Sequence, residues 1–293
     1  MPLADPPPTI RPSRAVQVDG DFFLARPTEI AVEAPLELRL NGRSHTILMV
    51  TPSLLAELAR GYCLSEGLVE HPGQVRGVSL GQGQLPGLGQ AFWVDVSLDP
   101  DLARRAKLRR VAPAATSCGL CGLQSLDDLT SEAVPVASGD LVIECAALRR
   151  LLAAMEAGQE IFPPTGGAHA VALGAPTGEL VAMAEDVGRH NALDKALGLA
   201  LLAGQDTRGL VAILSGRISY EMALKAARAG LPLLASVSAP TSLGVALLTR
   251  LGLTGVGFLR GQRLTVYSHP QRLRLAGRPL SVADANPAEP AQP

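Results

Sequence analysis

The second half of the chain alternates between short apolar segments and amphipathic segments, and this rhythm restricts the fold more than any other feature. The segments HAVAL, ELVAMAED, GLVAILSG, LPLLASVS and GVGFLRG resemble strands, and the first two form a hairpin pattern around GAPTG. Between the later strands, GRHNALDKALGLALLAG, ISYEMALKAARAG and SLGVALLTRLG have the spacing of helices. Alternating strands and helices predict a three-layer α/β domain with a mainly parallel sheet.

The first half has a different pattern, which predicts a smaller unit of strands and one helix. PLELRLNGRSHTILMV is typical of a hairpin that turns at Asn41 and Gly42. TPSLLAELARGYCLSEGL predicts a helix capped by Thr51 or Ser53. A further strand is expected around Ala91 to Leu98, and the glycine-rich GQGQLPGLGQ before it is expected to be a loop.

Composition divides the 293 residues into four parts. The proline-rich residues 1–14 and the C-terminal residues 276–293 are expected to be disordered tails. Residues 15–110 are expected to form the small α+β domain, and residues 111–275 the main α/β domain, which includes a Cys-x-x-Cys loop.

Charge, apolar segments and cysteines together exclude several classes of protein. The formal net charge of −1 gives no overall attraction to nucleic acid or to acidic membranes. The longest apolar region is interrupted by Pro232 and Pro240, which argues against a membrane span. The N-terminal residues contain no apolar core of signal-peptide length, so we expect no secretory signal. Four cysteines without paired regular spacings do not suggest a disulfide framework, so we expect a reducing cytoplasm.

Three predicted strand-to-helix junctions, AEDVGRHN, LSGRISYE and SVSAPTS, are unusually polar. Each junction taken alone is explained by ordinary helix capping. Because such junctions meet at the carboxyl edge of the sheet, where helix N-termini and arginines favour anions, their combination predicts a site for a polyanionic ligand. The candidate side chains are His169, Asp186, Arg189, His190, Ser215, Arg217, Ser238 and Thr241.

The segment FLRGQR, Phe258 to Arg263, adds two arginines directly after the last predicted parallel strand. By itself it is typical of a solvated turn. Beside the three junctions it becomes a candidate lip of the same ligand site.

Cys118 and Cys121 form the motif TSCGLCG, which is compatible with a metal site, a disulfide or a nucleophile. A structural zinc ion usually needs four ligands, and neither Cys63 nor Cys145 has a neighbouring cysteine or histidine to complete such a set. A thioredoxin-like pair would follow a strand in a βαβ unit, which is not predicted here. A cysteine at the start of the plausible helix LQSLDDL has a lowered pKa, which favours nucleophilic sulfur chemistry.

A zinc-dependent nucleobase deaminase is a further alternative with testable requirements. Such enzymes combine His-x-Glu with a later Pro-Cys-x-x-Cys. Here HAV places Val171 at the position of the catalytic glutamate, and the Cys-x-x-Cys precedes His169 without a proline directly before it. The sequence therefore does not support a deaminase mechanism.

Several motifs taken together are more specific than any single one. TSCGLCG, TGGAHAVAL, EDVGRHNALDKALG, SGRISYEMALKAARAG, SVSAPTSLGVAL and VGFLRGQRLTVYSHPQRL occur in the order seen in the FdhD/NarQ family, the formate dehydrogenase accessory sulfurtransferases. The chain resembles that family over roughly residues 30–273. The resemblance implies a main domain similar to the cytidine deaminase fold, with a homodimeric assembly.

The resemblance also implies an activity. Such a protein carries persulfide sulfur from a cysteine desulfurase to the bis(molybdopterin guanine dinucleotide) molybdenum cofactor of formate dehydrogenase, and needs no metal of its own. Cys118 matches the cysteine that holds the persulfide, and Cys121 matches its partner. The family's cofactor-binding stretch corresponds to Phe258, Leu259, Arg260, Gly261, Gln262 and Arg263.

One position departs from the family pattern. Some members have a cysteine where this chain has Gly167, which leaves Cys118 and Cys121 as the candidate thiols. Two rival hypotheses stay open: a non-enzymatic chaperone that binds the molybdenum cofactor, and a zinc-dependent hydrolase on a deaminase-like fold.

Overall fold

The computed structural model describes residues 7–87, 89–108, 135–136 and 141–281. The strands in these ranges are β1 (Ile10–Asp19), β2 (Phe22–Ala31), β3 (Ala34–Leu40), β4 (Arg43–Val50), β5 (Val75–Leu85), β6 (Gly89–Leu98), β7 (Ile143–Glu144), β8 (His169–Gly174), β9 (Leu180–Asp186), β10 (Val211–Leu214), β11 (Leu233–Ser236), β12 (Thr254–Arg260), β13 (Arg263–Ser268), β14 (Leu273–Leu275) and β15 (Arg278–Pro279). The helices are α1 (Leu55–Ser65), α2 (Pro100–Leu108), α3 (Cys145–Ala157), α4 (Phe162–Thr165), α5 (Arg189–Leu202), α6 (Tyr220–Arg228) and α7 (Ser242–Leu251).

The N-terminal end forms a two-stranded antiparallel arm, in which β1 pairs with β2 along its whole length. The expectation of disorder is wrong for Ile10–Arg14, because strand pairing satisfies their backbone groups and Pro12 lies in a ribbon with free edges. At the other end, β15 lies within the segment 276–281, where a tail was also expected. The remaining tail residues, 1–6 and 282–293, lie outside the described ranges.

The next sheet has four strands in the order β4-β3-β6-β5. The predicted hairpin is confirmed, with Asn41 at φ 50° and Gly42 at φ 76° in its turn. The prediction of a loop for GQGQLPGLGQ is wrong over much of its length, because β5 extends to Leu85 and pairs with β6. Gly81 and Gly83 lie in β5, whereas Gly87 lies in the turn between β5 and β6. A Cβ at Gly81 would lie 2.2 Å from the Trp93 ring, so this glycine makes room for an aromatic side chain.

Helix α1 is confirmed, but its predicted cap is wrong. The N-cap residue is Leu54, in a left-handed conformation at φ 54°, and its side chain makes no capping hydrogen bond. Thr51 instead ties this region to the main sheet: its N–H donates to Asp186 Oδ2 over 3.0 Å, and its Oγ1 accepts from the Val187 N–H over 3.2 Å.

The main sheet has six strands in the order β13-β12-β11-β10-β8-β9, which confirms the predicted alternation of strands and helices. The prediction of a mainly parallel sheet is wrong, because the β8–β9, β8–β10 and β12–β13 pairs are antiparallel and only β10–β11 and β11–β12 are parallel. Strands β10, β11 and β12 are mutually parallel, and β8 runs antiparallel to both β9 and β10. Strands β9 to β12 therefore share one direction, and β8 and β13 run the opposite way. This direction brings the carboxyl ends of four strands to one edge.

Successive side chains of each strand point to opposite faces of this sheet, and helices pack against both faces. Ala212 and Leu214 of β10 belong to one hydrophobic cluster with α5, α6 and α7. Val211 and Ile213 of the same strand point the other way, into a second cluster with α3. The first cluster also contains α1 and the inner face of the four-stranded sheet, so both halves of the chain share one core. The predicted boundary at residues 110–111 lies outside the described ranges. Over the part of the chain that the structure describes, no helix is long and apolar enough to span a bilayer.

Candidate functional site

The polar junctions lie side by side along the carboxyl edge of the main sheet, as expected. Asp186, Ser215 and Ser238 lie at or just beyond the ends of β9, β10 and β11, in that order. His169 lies at the same edge because it begins the antiparallel strand β8 and pairs with Asp186.

Asp186 has a structural role at this edge. Its side chain is fully buried, and Oδ2 lies 2.6 Å from Lys195 Nζ. Oδ2 also accepts the Thr51 N–H, while Oδ1 accepts from the Gly188 N–H over 2.8 Å and from Asn191 Nδ2 over 2.9 Å. Burial lowers the pKa of Lys195, and the adjacent carboxylate opposes that shift. With all these donors in place, the Asp186 carboxylate is not available to a ligand.

His169 and Ser215 face each other across β8 and β10. Nδ1 of His169 lies 3.3 Å from Ser215 Oγ, which also accepts the Ala170 N–H over 2.9 Å. Burial lowers the pKa of His169, and the charges of Arg189 and His190 lower it further. The imidazole is therefore neutral at neutral pH, so it can form hydrogen bonds but adds no positive charge to this edge.

Arg189 and His190 begin α5 and converge on Glu221 of α6. His190 Nε2 lies 3.1 Å and Arg189 Nη2 lies 3.8 Å from Glu221 Oε2. The pKa of Glu221 is lowered, chiefly by His190, while burial opposes the shift. Arg217 is exposed, and no carboxylate of the described residues forms an ion pair with it. Arg217 is therefore more open to a ligand from solvent than Arg189, which lies close to Glu221.

The third junction links neighbouring loops rather than opening toward solvent. Ser236 Oγ donates to the Gly216 carbonyl over 2.7 Å and accepts the Ser238 N–H over 2.9 Å. The Ser238 carbonyl accepts the Phe258 N–H over 3.0 Å. Thr241 caps α7 by accepting the Gly244 N–H, so ordinary helix capping explains this residue.

A cavity of about 720 Å³ lies next to the β12–β13 turn, between that turn, α3 and the strands β14 and β15. Four residues of the predicted segment 258–263 line it, while Leu259 is fully buried and Gly261 forms the turn at φ 52°. The lining residues are Cys145, Arg149, Phe258, Arg260, Gln262, Arg263, Leu264, Thr265, Leu275 and Leu280.

The cavity is electropositive, since three arginines and no carboxylate line it among the described residues. Arg260 is oriented by a hydrogen bond from Nε to the Val237 carbonyl over 2.9 Å. Guanidinium groups without carboxylate partners attract phosphate and other oxyanions. Sequence reasoning missed Arg149 and Cys145, because they reach the cavity from α3, whose sequence is that of an ordinary amphipathic helix.

The thiols differ in their surroundings. Cys118 and Cys121 lie outside the described residues. Cys63 is fully buried, and burial raises its pKa to about 12, so this thiol is not a nucleophile at neutral pH. Within the described ranges, no group of three or more histidine, cysteine or acidic side chains is arranged to hold a metal ion.

Fold and site together define an α/β protein with a polar sheet edge and an arginine-lined cavity. The model of the FdhD/NarQ family matches residues 31–274, and the chain belongs to this family.

Relatives and a solved structure agree with this assignment. The chain is 37% identical over 263 residues to "Sulfur carrier protein FdhD" from Bordetella bronchiseptica, covering 89% of this chain and 94% of the relative. It is 39% identical over 247 residues to the protein of the same name from Xanthomonas campestris pv. campestris, covering 84% and 86%. A crystal structure of "a putative formate dehydrogenase accessory protein" from Desulfotalea psychrophila superimposes with a TM-score of 0.71 at 25% identity, covering 91% of this chain and 100% of that one.

Proposed function

We propose that this protein carries persulfide sulfur from a cysteine desulfurase to the bis(molybdopterin guanine dinucleotide) molybdenum cofactor of formate dehydrogenase. Family membership and the sulfur-carrier names of the relatives support the role in formate dehydrogenase maturation. The observation that carries the cofactor part is the arginine-lined cavity, because the substrate presents diphosphates and the cavity presents guanidinium groups without carboxylates.

Sulfur transfer would begin at Cys118. Its thiolate attacks the outer sulfur of the desulfurase persulfide, a new S–S bond forms at Cys118, and the desulfurase cysteine leaves as a thiolate. For delivery, the S–S bond of Cys118–S–SH would break: the Cys121 thiolate attacks the inner sulfur, a Cys118–Cys121 disulfide forms, and the outer sulfur leaves as hydrosulfide for the cofactor. Low-pKa cysteines are suited to both steps because the thiolate is the reactive form.

The cofactor is a substrate here, and the described residues suggest how it would be held. Phe258, Arg260, Gln262 and Arg263 line the cavity, and Arg260 and Arg263 provide donors for a diphosphate. Arg217, an exposed arginine that follows β10 at the carboxyl edge of the sheet, is a further candidate cation.

Several broader parts of the proposal come from the family resemblance. We propose that the main domain is similar to the cytidine deaminase fold, that the protein acts in the cytoplasm, and that it works as a homodimer. Cysteine desulfurase and the catalytic subunit of formate dehydrogenase are the proposed partners.

The decisive experiment maps where sulfur is bound. Purified protein is incubated with a cysteine desulfurase and cysteine, and sulfur adducts are located by mass spectrometry of its peptides. We expect a reducible adduct of one sulfur on Cys118, its loss in Cys118→Ala, and its retention in the matched variant Cys121→Ala. Maturation of formate dehydrogenase by each variant is measured in parallel.

A non-enzymatic chaperone that only shields the cofactor is the second candidate, because the described residues include three arginines that line a cavity suited to binding an anion. It predicts that Cys118→Ala still supports maturation, a result that would overturn sulfur transfer. Stoichiometric zinc bound at Cys118 and Cys121 in purified protein would instead favour the hydrolase hypothesis and would also contradict a persulfide.

A further inference from the structure

One arginine of the cavity lies outside every motif that the sequence singles out. Arg149 lies on α3, and its Nη2 donates to the Gln262 carbonyl oxygen over 2.9 Å. Its Nε is buried and has no hydrogen-bond partner among the described residues. This guanidinium group is thus fixed to the turn through one nitrogen, while another donor is left for a different partner.

The described residues around Arg149 give the cavity an excess of positive charge, which a bound anion would neutralise. Arg149, Arg260 and Arg263 all line the same cavity, and within the described ranges no aspartate or glutamate lines it. Arg260 uses Nε for the Val237 carbonyl, which leaves its two Nη groups. The three positive charges around the cavity repel each other. An oxyanion bound between them would offset this repulsion, because it attracts each guanidinium group.

The size and the lining of the cavity restrict the ligand. A volume of about 720 Å³ is within the range of small-molecule sites, which is about 300–1,000 Å³. The Phe258 side chain is 42% exposed, so its ring has a face available for stacking on a base. One nucleoside diphosphate group combines these features: a diphosphate for the arginines and a planar base for the ring.

We propose that Arg149 is a further ligand-binding residue of this cavity, and that it acts with Arg260 and Arg263 on the diphosphate of one nucleotide group. The identity of that group as one end of the molybdenum cofactor rests on the proposed function. The binding of a diphosphate by the three arginines rests on the cavity itself.

The helix provides a matched control for this inference. Arg150 is adjacent to Arg149 on α3, but it is exposed, donates to the Thr177 carbonyl over 2.6 Å and does not line the cavity. Arg149→Gln and Arg150→Gln remove the same charge from the same helix, so a difference between them reports on position and not on net charge.

The full-length protein and the variants Arg149→Gln, Arg149→Lys and Arg150→Gln are titrated by calorimetry with GDP and, separately, with inorganic pyrophosphate. Loss of a hydrogen bond to a charged group corresponds to about a tenfold or greater weakening, which is expected for Arg149→Gln with both probes. Arg149→Lys keeps the charge without the forked donor and should be intermediate. Arg150→Gln should bind like the wild type. Thermal unfolding of each variant identifies any that fails to fold, and Arg149→Lys serves as the test if Arg149→Gln does so.

Cys145 reports whether the probe occupies this cavity. Its thiol lines the cavity and is 3% exposed, whereas Cys63 is buried in the other hydrophobic cluster. Alkylation of each cysteine is followed by mass spectrometry at mildly alkaline pH, with and without saturating GDP or pyrophosphate. Burial raises the pKa of both thiols, so alkylation is slow in the free protein. We expect the bound probe to slow alkylation of Cys145 further, while Cys63 stays unreactive with and without the probe.

The outcomes separate this inference from the proposed function. Wild-type affinity in Arg149→Gln, equal weakening in Arg149→Gln and Arg150→Gln, failure of the probe to protect a Cys145 that is alkylated in the free protein, or failure of the wild type to bind either probe would each overturn the role of Arg149. Binding of pyrophosphate that depends on Arg149, without binding of GDP, would sustain the role of Arg149 and contradict the guanylated cofactor as ligand.

Discussion

His169 lies at the carboxyl edge of the main sheet, and its protonation affects the stability of the fold. Its pKa is lowered by burial first and then by Arg189, His190 and Arg217, while Asp186 acts in the opposite direction. A histidine in this environment holds a proton less readily in the folded protein than in the unfolded chain. Protonation at this position therefore favours unfolding.

The sign of this effect sets the window for a prediction. Between the folded pKa and the unfolded value near 6.5, the unfolded chain binds a proton that the folded protein does not, so stability falls as pH decreases through this window. His169→Asn retains a polar atom near the Nδ1 position and removes the titration. Urea unfolding of both proteins from neutral to mildly acidic pH should show a difference in free energy of unfolding that narrows or changes sign as pH decreases. A difference that is constant across this range would contradict the assignment. The lowered pKa of Glu221 acts at lower pH, below its ordinary value of 4.5, and does not confuse the result.

At the scale of single residues, the sequence predicts those cavity residues that lie close together in the chain. Arg260 and Arg263 were predicted because they directly follow a strand in the segment 258–263, and both line the cavity. Arg149 was not predicted, because its role arises from a contact with the Gln262 carbonyl, far away in the chain. Asp186 was placed correctly at the edge, but the burial of Lys195 beside it could not be read from spacing.

At the scale of elements, periodicity identified most helices and strands of the described main sheet, while glycine was the main source of error. The segment GQGQLPGLGQ has the composition of a loop, yet Gly81 and Gly83 lie in β5. A glycine can be present for backbone freedom or for space, and composition does not distinguish the two. The predicted cap of α1 is also wrong, since Thr51 forms tertiary hydrogen bonds in place of a local cap.

Gly81 and Gly83 allow the requirement for space to be tested within one strand. A Cβ at position 81 would lie 2.2 Å from the ring of Trp93, the only tryptophan in the chain, whereas nothing lies within 4 Å of a Cβ at position 83. We expect Gly81→Ala to destabilise the protein by about 1–3 kcal/mol through overpacking and to shift the fluorescence of Trp93. Gly83→Ala should be within about 0.5 kcal/mol of the wild type or slightly more stable. Chemical denaturation followed by tryptophan fluorescence measures both effects. Equal stability of the two variants would show that the Trp93 ring does not need the space above Gly81.

At the scale of the whole molecule, the N-terminal unit and the main sheet are joined through buried charges as well as apolar side chains. Lys195 of α5 donates to the Thr51 carbonyl over 2.9 Å, and Lys225 of α6 lies 2.8 Å from both Glu66 and Asp194. These contacts connect the residues around α1 to helices of the main sheet. Buried ions are costly to separate from their partners, so they resist opening of this junction.

The backbones of α1 and α5 also approach each other closely, and two glycines make this possible. A Cβ at Gly61 of α1 would lie 1.8 Å from the Asp194 carbonyl oxygen, and a Cβ at Gly198 of α5 would lie 1.9 Å from the Glu57 carbonyl oxygen. Neither obstacle is a flexible side chain, so even one added methyl group must move a helix. Sequence division into two domains suggests two separable units, whereas this packing requires the two halves to fold together.

Gly198→Ala tests that requirement, with Gly209→Ala as a control at an exposed position where nothing lies within 4 Å of a Cβ. We expect Gly198→Ala to lose about 3 kcal/mol or more of stability, because overpacking between two backbones cannot be relieved by a change of rotamer. Gly209→Ala should unfold like the wild type. Trp93 fluorescence reports on the four-stranded sheet, and far-ultraviolet circular dichroism reports on the helices. If the halves form one cooperative unit, both signals change at the same denaturant concentration in every variant, and in Gly198→Ala both midpoints fall together. Separate midpoints, with the Trp93 signal lost first and the helical signal unchanged, would instead mean that the main sheet is stable without the N-terminal unit.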